Sequence, residues 1–166
     1  MITTSSLIAP TLAAAGAILL LLAYRDLSQR RLPNAWVGLY AFLFLCYAGA
    51  AGIGWAQVGG HAITGLAAFT LATLLFALGY MGGGDVKLWG AIMLWAGPQG
   101  AVTALVLATL CGALLGLLGW GAQRVLRRAR RPAGAGMLRM LTASRGVPYG
   151  VGLALAGIQV LIVTGA

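Results

Sequence analysis

Acidic side chains are almost absent from this chain of 166 residues, which has two aspartates and no glutamate. Charged residues of both signs make up 8% of the sequence, whereas soluble domains carry about 25%. Hydrophobic residues make up 61% and form runs that are too long for a strand or a core helix. The composition therefore excludes a water-soluble globular protein and predicts an all-α membrane protein.

Metal ligands are also scarce. The chain has two cysteines, Cys46 and Cys111, and one histidine, His61. The cysteines lie alone within apolar runs and form no CxxC pair, whereas zinc sites need clustered ligands. We therefore expect no metal and no cofactor, interpret both cysteines as small core or lipid-facing residues, and assign His61 no role.

A net charge of +9 is typical of proteins that bind nucleic acid. Here, however, the basic residues lie between apolar runs and are not gathered on a soluble domain. We interpret them as topology signals and expect no nucleic-acid partner. The first ten residues lack a basic segment, and the apolar run after them ends in charge, so no signal peptide is expected.

Six apolar runs predict six transmembrane helices in a single polytopic domain over residues 1–166. The runs cover residues 7–24, 35–53, 61–80, 88–96, 101–121 and 148–164. If the loops alternate sides, all 11 Lys and Arg residues lie in the loops after the first, third and fifth runs, including a basic loop at 122–147. The positive-inside rule then makes this side cytoplasmic and places both termini outside.

The fourth span is short. Residues 86–97 extend for about 18 Å, against about 30 Å of hydrocarbon. We expect a short helix whose cytoplasmic end is sunk into the membrane, and a re-entrant segment is the alternative. Residues 82–85 would then lie below the bilayer surface, where irregular backbone needs protein-lined or hydrated surroundings.

The two aspartates, Asp26 and Asp85, are the candidate catalytic residues. Carboxylates in membrane segments are costly, and by default they mark function. Asp26 lies at the cytoplasmic end of the first span and Asp85 at the cytoplasmic start of the fourth, so packing of the spans can bring them together. Two close carboxylates in apolar surroundings share a proton. One can then activate water while the other protonates a peptide carbonyl oxygen, as an aspartyl peptidase requires.

Two other interpretations stay open. Arg25 adjoins Asp26, and Lys87 lies two residues after Asp85, so both aspartates could form structural salt bridges in a non-enzymatic assembly factor. A small proton-coupled transporter could instead use the two aspartates as proton carriers. Coupling carboxylates of transporters are more typical of the membrane midplane, however.

Two motifs carry a family resemblance. The segment Gly82-Gly83-Gly84-Asp85 resembles the GxGD motif of type IV prepilin peptidases, and its glycines allow positive φ and close approach of a substrate strand. Arg25-Asp26, followed by Arg31-Leu32-Pro33-Asn34, resembles the first motif of that family. The resemblance covers nearly the whole chain. It implies an aspartic endopeptidase of the bacterial inner membrane that removes the basic cytoplasmic leader of a membrane-inserted prepilin, with Asp26 and Asp85 as catalytic residues.

Related families leave alternatives. Archaeal preflagellin peptidases are close relatives, whereas presenilin-type proteases share the GxGD element but differ in their first motif. Larger bacterial prepilin peptidases carry an N-terminal domain with paired CxxC motifs and also methylate the new pilin N-terminus. Since no CxxC is present, we expect no methyltransferase activity, and the short form resembles the tight-adherence (Flp-pilus) peptidases.

Seven further residues are expected to support the aspartates or to bind substrate: Gly82, Gly83, Gly84, Lys87, Arg25, Pro33 and Asn34. Pro33 and Asn34 either only begin the second helix or fix the loop that carries Asp26. Lys87 either orients Asp85 and meets substrate or is a topology charge.

Residues nearer the lipid suggest further partners. The basic stretch 124–131 is expected to bind anionic lipid at the cytoplasmic face, or else to dock the pilin or the pilus assembly machinery.

The five tryptophans lie near predicted span ends, which is typical of interfacial anchors: Trp36, Trp55, Trp89, Trp95 and Trp120.

Overall fold

The computed structural model of the protein describes residues 4–128 and 149–165. Within these residues, regular structure is entirely helical. After a short turn of 3-10 helix at Thr4–Leu7 come α1 (Ile8–Gln29), α2 (Asn34–Ala50), α3 (Trp55–Ala77), α4 (Gly83–Arg128) and α5 (Tyr149–Gly165). α1, α3 and α4 are long and apolar enough to cross a membrane, and α2 and α5 are shorter apolar helices. The prediction of an all-helical membrane protein is thus confirmed.

The longest helix, α4, is broken at Gly97, whose φ of 61° and ψ of −175° are not helical. Pro98 follows, and proline can begin a helix but cannot donate a hydrogen bond within one. We call residues 83–96 arm 1 and residues 98–128 arm 2. Trp89 and Leu105, which lie equally far before and after the break, line the same cavity. The chain therefore reverses at Gly97, and the two arms correspond to the predicted fourth and fifth runs.

The side chain of His61, on α3, holds this reversal. Its Nδ1 lies 2.8 Å from the carbonyl oxygen of Leu94. In an unbroken helix, this oxygen would accept a hydrogen bond from the backbone N–H of residue 98. Because proline has no N–H, His61 supplies the missing donor. A Cβ added to Gly97 would lie 2.5 Å from the imidazole ring, which stacks on Phe44. The expectation that His61 has no role is wrong: it is a structural residue.

Arm 1 is the centre of the fold. All of its residues from 88 to 96 are buried except Leu94, so that other helices, and not lipid, cover almost every face of this stretch. α3 and α5 pack extensively on α4, and α2 packs on α1 and α4. Glycines allow the close approach: a Cβ added to Gly65 of α3 would lie 3.0 Å from the carbonyl oxygen of Gly90.

Two tryptophans expected at the membrane interface belong to this core instead. Trp95 and Trp89 are only 1% and 7% exposed. Trp95 stacks on Tyr40 of α2, and its Nε1 donates to the Tyr40 carbonyl oxygen over 3.0 Å, which satisfies the buried indole N–H. The prediction is wrong for these two because a position near a span end does not reveal which face of the helix packs inward. Trp55 and Trp120, by contrast, are 91% and 58% exposed.

Arm 2 extends beyond the other helices at the end where α5 begins. A Cβ added to Gly112 would lie 3.4 Å from the ring of Tyr149, the first residue of α5. From Gly112, α4 continues to Arg128, a further distance of about 24 Å. Leucine side chains on this extension are exposed: Leu114, Leu117 and Leu118. The remainder of the predicted basic loop, residues 129–147, lies outside the described residues.

Candidate active site

Both aspartates line one pocket of about 620 Å³, at the end where α1 finishes and α4 begins. Asp26 lies in the last turn of α1 and Asp85 in the first turn of α4. Their carboxyl groups are close enough to act on each other electrostatically. The structure therefore brings together the two candidate catalytic residues. Six of the seven residues expected to support them line the same pocket: Arg25, Pro33, Asn34, Gly82, Gly83 and Gly84.

The position of Asp85 follows from the way α4 starts. The N–H of Val86 donates to the carbonyl oxygen of Gly82 over 3.1 Å and closes the first helical turn. Asp85 is the third residue of the helix, and its carboxyl group reaches back to the backbone N–H of Gly82. This contact is one half of a capping box. It holds the carboxyl group over the helix N-terminus, where the partial positive charge favours an anion.

Two glycines before Asp85 are needed for close contacts. A Cβ added to Gly82 would lie 2.8 Å from Oδ2 of Asp85, and one added to Gly84 would lie 3.0 Å from Cβ of Leu32. A side chain at either position would thus displace the carboxyl group or the loop after α1. The positive φ that the glycine run permits occurs earlier, at Gly79, with φ of 78°. The run opens a helix and does not form a loop.

Asp26 is held by the N-terminus of α5. It is 7% exposed, and the backbone N–H groups of Gly150 and Val151 face its carboxyl group. A Cβ added to Gly150 would lie 2.9 Å from Cγ of Asp26. Sequence reasoning missed both α5 residues because they are far from Asp26 in the chain. The one available signal was Pro148, two residues before Gly150, because proline is favoured at the start of a helix.

One oxygen of Asp26 is buried without a hydrogen-bond partner among residues 4–128 and 149–165. This oxygen is Oδ2. Buried acceptors without a partner are uncommon in proteins and call for an explanation. Asp26 lines the pocket, but Oδ2 itself is covered, so the side chain has to shift before a water molecule or a substrate group can reach this oxygen.

Arg30 adds a cation to the site. It ends α1 in the left-handed conformation, with φ of 54°, which is uncommon for a residue other than glycine. Its backbone N–H donates to the carbonyl oxygen of Asp26 over 3.0 Å. Its guanidinium acts electrostatically on both Asp26 and Asp85. From the sequence, Arg30 is expected to be a topology charge or to meet an acidic residue of the substrate, and the structure adds it to the residues around the aspartates.

The remaining predicted site residue, Lys87, lies beside the pocket. Its Nζ donates to Oδ1 of Asn34 over 2.9 Å and so joins α4 to the start of α2. Pro33 caps α2, since the N–H groups of Trp36 and Val37 donate to its carbonyl oxygen. Pro33 and Asn34 therefore begin the second helix and also border the aspartate pocket. Lys87 bonds to Asn34, which does not favour the interpretation of this lysine as a salt-bridge partner.

A comparison with known proteins agrees with this arrangement. The model of the type IV leader peptidase family matches residues 13–117, a stretch that includes both aspartates and more than half of the chain. The chain belongs to the type IV leader peptidase family. Membership confirms the resemblance found in the sequence and makes the protein a peptidase of a membrane. The searches of curated proteins and of solved structures gave no match.

The family match ends before α5 begins. The backbone groups of Gly150 and Val151 that face Asp26 therefore lie outside the matched residues. In this member of the leader peptidase family, the surroundings of one candidate catalytic residue are completed by a helix that the family model does not cover.

Proposed function

We propose that the protein is an intramembrane aspartic endopeptidase that removes the basic leader from type IV prepilins, with Asp26 and Asp85 as its catalytic pair. The observation that carries this proposal is that the two acidic residues of the whole chain line one pocket. Membership of the leader peptidase family supports the reaction class. The pocket geometry supports the aspartic mechanism.

The reaction needs one proton shared between the two carboxyl groups. The ionised carboxylate takes a proton from water, and the water oxygen bonds to the scissile carbonyl carbon. The protonated carboxyl donates to the carbonyl oxygen, so that a neutral gem-diol forms. The C–N bond then breaks while the first carboxyl group returns its proton to the leaving nitrogen. The other carboxyl takes a hydroxyl proton from the gem-diol, and the pair again holds one proton.

The surroundings of each aspartate suit this chemistry. The amide groups of Gly150 and Val151 at Asp26, and that of Gly82 at Asp85, place both carboxyl groups at helix N-termini. Arg30 adds a positive charge that acts on both. These groups favour the single negative charge of the pair without a metal ion. They also fix the direction of each carboxyl group, which aligned proton transfer requires.

The proposed membrane topology has six crossings, with arm 1 and arm 2 of α4 as separate crossings. The basic residues then lie at the aspartate end, which is cytoplasmic by the positive-inside rule, and both termini lie outside. Arm 1 is only about 21 Å long, which is shorter than the hydrocarbon layer. Arm 2 is longer, and its exposed leucines extend beyond the level of Tyr149. We therefore place the aspartates below the membrane surface.

Other partners are part of the same proposal. The side chain of Arg124 lies over the exposed ring of Trp120, at 5.3 Å from its centre. A cation and an exposed aromatic ring on one helix face suit the headgroup layer. The basic residues that follow would bind anionic lipid or the pilus assembly machinery.

Co-expression with a tagged Flp-type prepilin tests the function. Leader removal would be followed by gel mobility and by sequencing the N-terminus of the product, for the wild type, Asp26→Asn and Asp85→Asn. We expect cleavage by the wild type alone, with each variant reduced by a factor of about 1,000 or more. A preflagellin in parallel decides between the two substrate classes. Full processing in either variant would contradict the aspartic mechanism.

A further inference from the structure

A second groove adjoins the aspartate pocket. It has a volume of about 430 Å³ and lies between α2 and α3, with arm 1 as its floor. Its lining is almost entirely apolar, and many of its side chains are small: Gly38, Ala41, Ala62, Gly65, Gly90 and Ala91. Leu66 and Phe69 on the α3 wall are 66% and 39% exposed. The groove is therefore an open apolar channel along the side of the helix bundle.

The groove and the aspartate pocket meet at Asn34. Asn34 lines both, and the floor begins at Lys87, two residues after Asp85, and ends at Leu94. This length of arm 1 is about 10 Å, or about two turns of a helix. A third cavity of about 500 Å³, between α3 and arm 2, shares no lining residue with the aspartate pocket among the described residues.

We propose that the α2–α3 groove receives the apolar transmembrane helix of the substrate and aligns its cleavage end with Asp26 and Asp85. This inference rests on the proposed function. Small side chains along the walls let another helix approach closely within a membrane. Asn34 lies both beside a helix bound in the groove and at the edge of the aspartate pocket, whereas the third cavity shares no lining residue with that pocket among the described residues.

Polar side chains at the end of the groove next to the aspartate pocket can stabilise an unwound turn of the substrate helix. A peptide bond inside a helix must unwind before water can attack it, and the freed backbone groups need partners in apolar surroundings. Asn34 and Lys87 are the polar side chains among the described lining of the groove. Their mutual hydrogen bond crosses the boundary to the pocket. They can exchange it for bonds to the carbonyl groups of the unwound substrate turn.

A matched pair of substitutions on α2 tests the groove. A Cβ added to Gly38, which lines it, or to Gly49, which does not, would have no atom within 4 Å. Gly38→Leu fills the groove, so kcat/KM for a membrane-inserted prepilin should fall by about tenfold or more. Gly49→Leu should cleave like the wild type. Equal cleavage by the two variants would contradict docking in the groove.

Disulfide cross-linking tests the same inference without filling the groove. Single cysteines would replace Leu66 in the groove, Leu75 in the third cavity, or Ile63, which is 70% exposed and lines neither. The background would carry Cys46→Ser, Cys111→Ser and Asp85→Asn, so that uncleaved substrate remains bound. A cysteine in the first two turns of the substrate helix should cross-link to position 66 alone.

The outcomes separate the two proposals. If the wild type cleaves no prepilin, the proposed function is wrong. If the wild type cleaves normally but cross-links form at position 75, or equally at all three positions, only the groove assignment is wrong. Cross-linking at position 66 together with impaired cleavage by Gly38→Leu supports both.

Discussion

Gly150 lies directly against the carboxyl group of Asp26, since a Cβ added to the glycine would be 2.9 Å from Cγ of the aspartate. The first turn of α5, near one end of the chain, thus contacts a candidate catalytic residue that lies near the other end. Two helix N-termini, those of α4 and α5, meet at the carboxyl pair. This convergence gives the first prediction.

Gly150→Ala should reduce leader cleavage by a factor of about 100, because a displacement of the Asp26 carboxyl by about 1 Å misaligns it. The added methyl group meets Cγ, Oδ2 and Cβ of Asp26, so it cannot be accommodated without moving that side chain. Gly116→Ala, also within a helix but with no atom within 4 Å, is the control and should remain active. Cleavage rates at saturating prepilin decide the matter, and equal rates would refute the role of Gly150.

Removing the charge of Arg30 should change the pH dependence of cleavage. A nearby cation favours the ionised carboxylate, so the acid limb of the pH–rate profile should move to higher pH in Arg30→Asn. Asparagine tolerates the left-handed conformation of this position better than most residues do. Arg30→Lys keeps the charge and should retain most of the wild-type profile. Identical profiles for the wild type and Arg30→Asn would show that Arg30 does not act on the catalytic pair.

His61→Phe should destabilise the fold without touching the aspartates. Phenylalanine can keep the stacking on Phe44 but cannot donate to the Leu94 carbonyl oxygen. A buried carbonyl left without a donor costs about 1–3 kcal/mol, and the partly buried Leu94 carbonyl should lie toward the lower end of that range. Thermal unfolding in detergent should therefore occur at lower temperature. Thr70→Val, which removes an exposed hydroxyl bond within α3, serves as the control. An unchanged transition for His61→Phe would contradict the role of His61 at the reversal.

The depth of the active site can be measured by thiol labelling. In a background free of native cysteines, Gly83→Cys should react with a membrane-impermeant reagent much more slowly than Arg124→Cys. The proposed topology places residue 83, at the start of arm 1, below the membrane surface, whereas Arg124 is exposed near the end of arm 2. A Cβ at position 83 fits, since its nearest neighbour would be the ring of Phe76 at 3.5 Å. Equal labelling rates would contradict a recessed site.

Local patterns were sufficient to predict the helices and the meeting of the aspartates. Apolar runs mark helices because a backbone in lipid must satisfy its own hydrogen bonds. The two carboxylates could be paired from sequence because membrane segments rarely hold charges without a purpose. Asp26 and Asp85 also lie at helix ends that face the same side. Their joint pocket follows from these features together.

Contacts between distant segments could not be predicted. The approach of Gly150 to Asp26, the burial of Trp95 and the bond from His61 to Leu94 all depend on which faces of the helices pack together. In a chain that is apolar all round, the sequence carries little contrast between faces that meet lipid and faces that meet protein. The role of His61 also depends on the reversal of the chain at Gly97, which the sequence alone does not reveal.

The shortness of several helices has a consequence for the surrounding lipid. α2 and α5 have 17 residues each, or about 26 Å, and arm 1 is shorter still, against a hydrocarbon thickness of about 30 Å. Such mismatch is relieved when the bilayer thins beside the short helices. Water then travels a shorter distance to the carboxyl pair, and a longer neighbouring helix loses its apolar cover at one end. We expect hydrophobic length, as well as the residues at the cut, to decide which membrane proteins are cleaved.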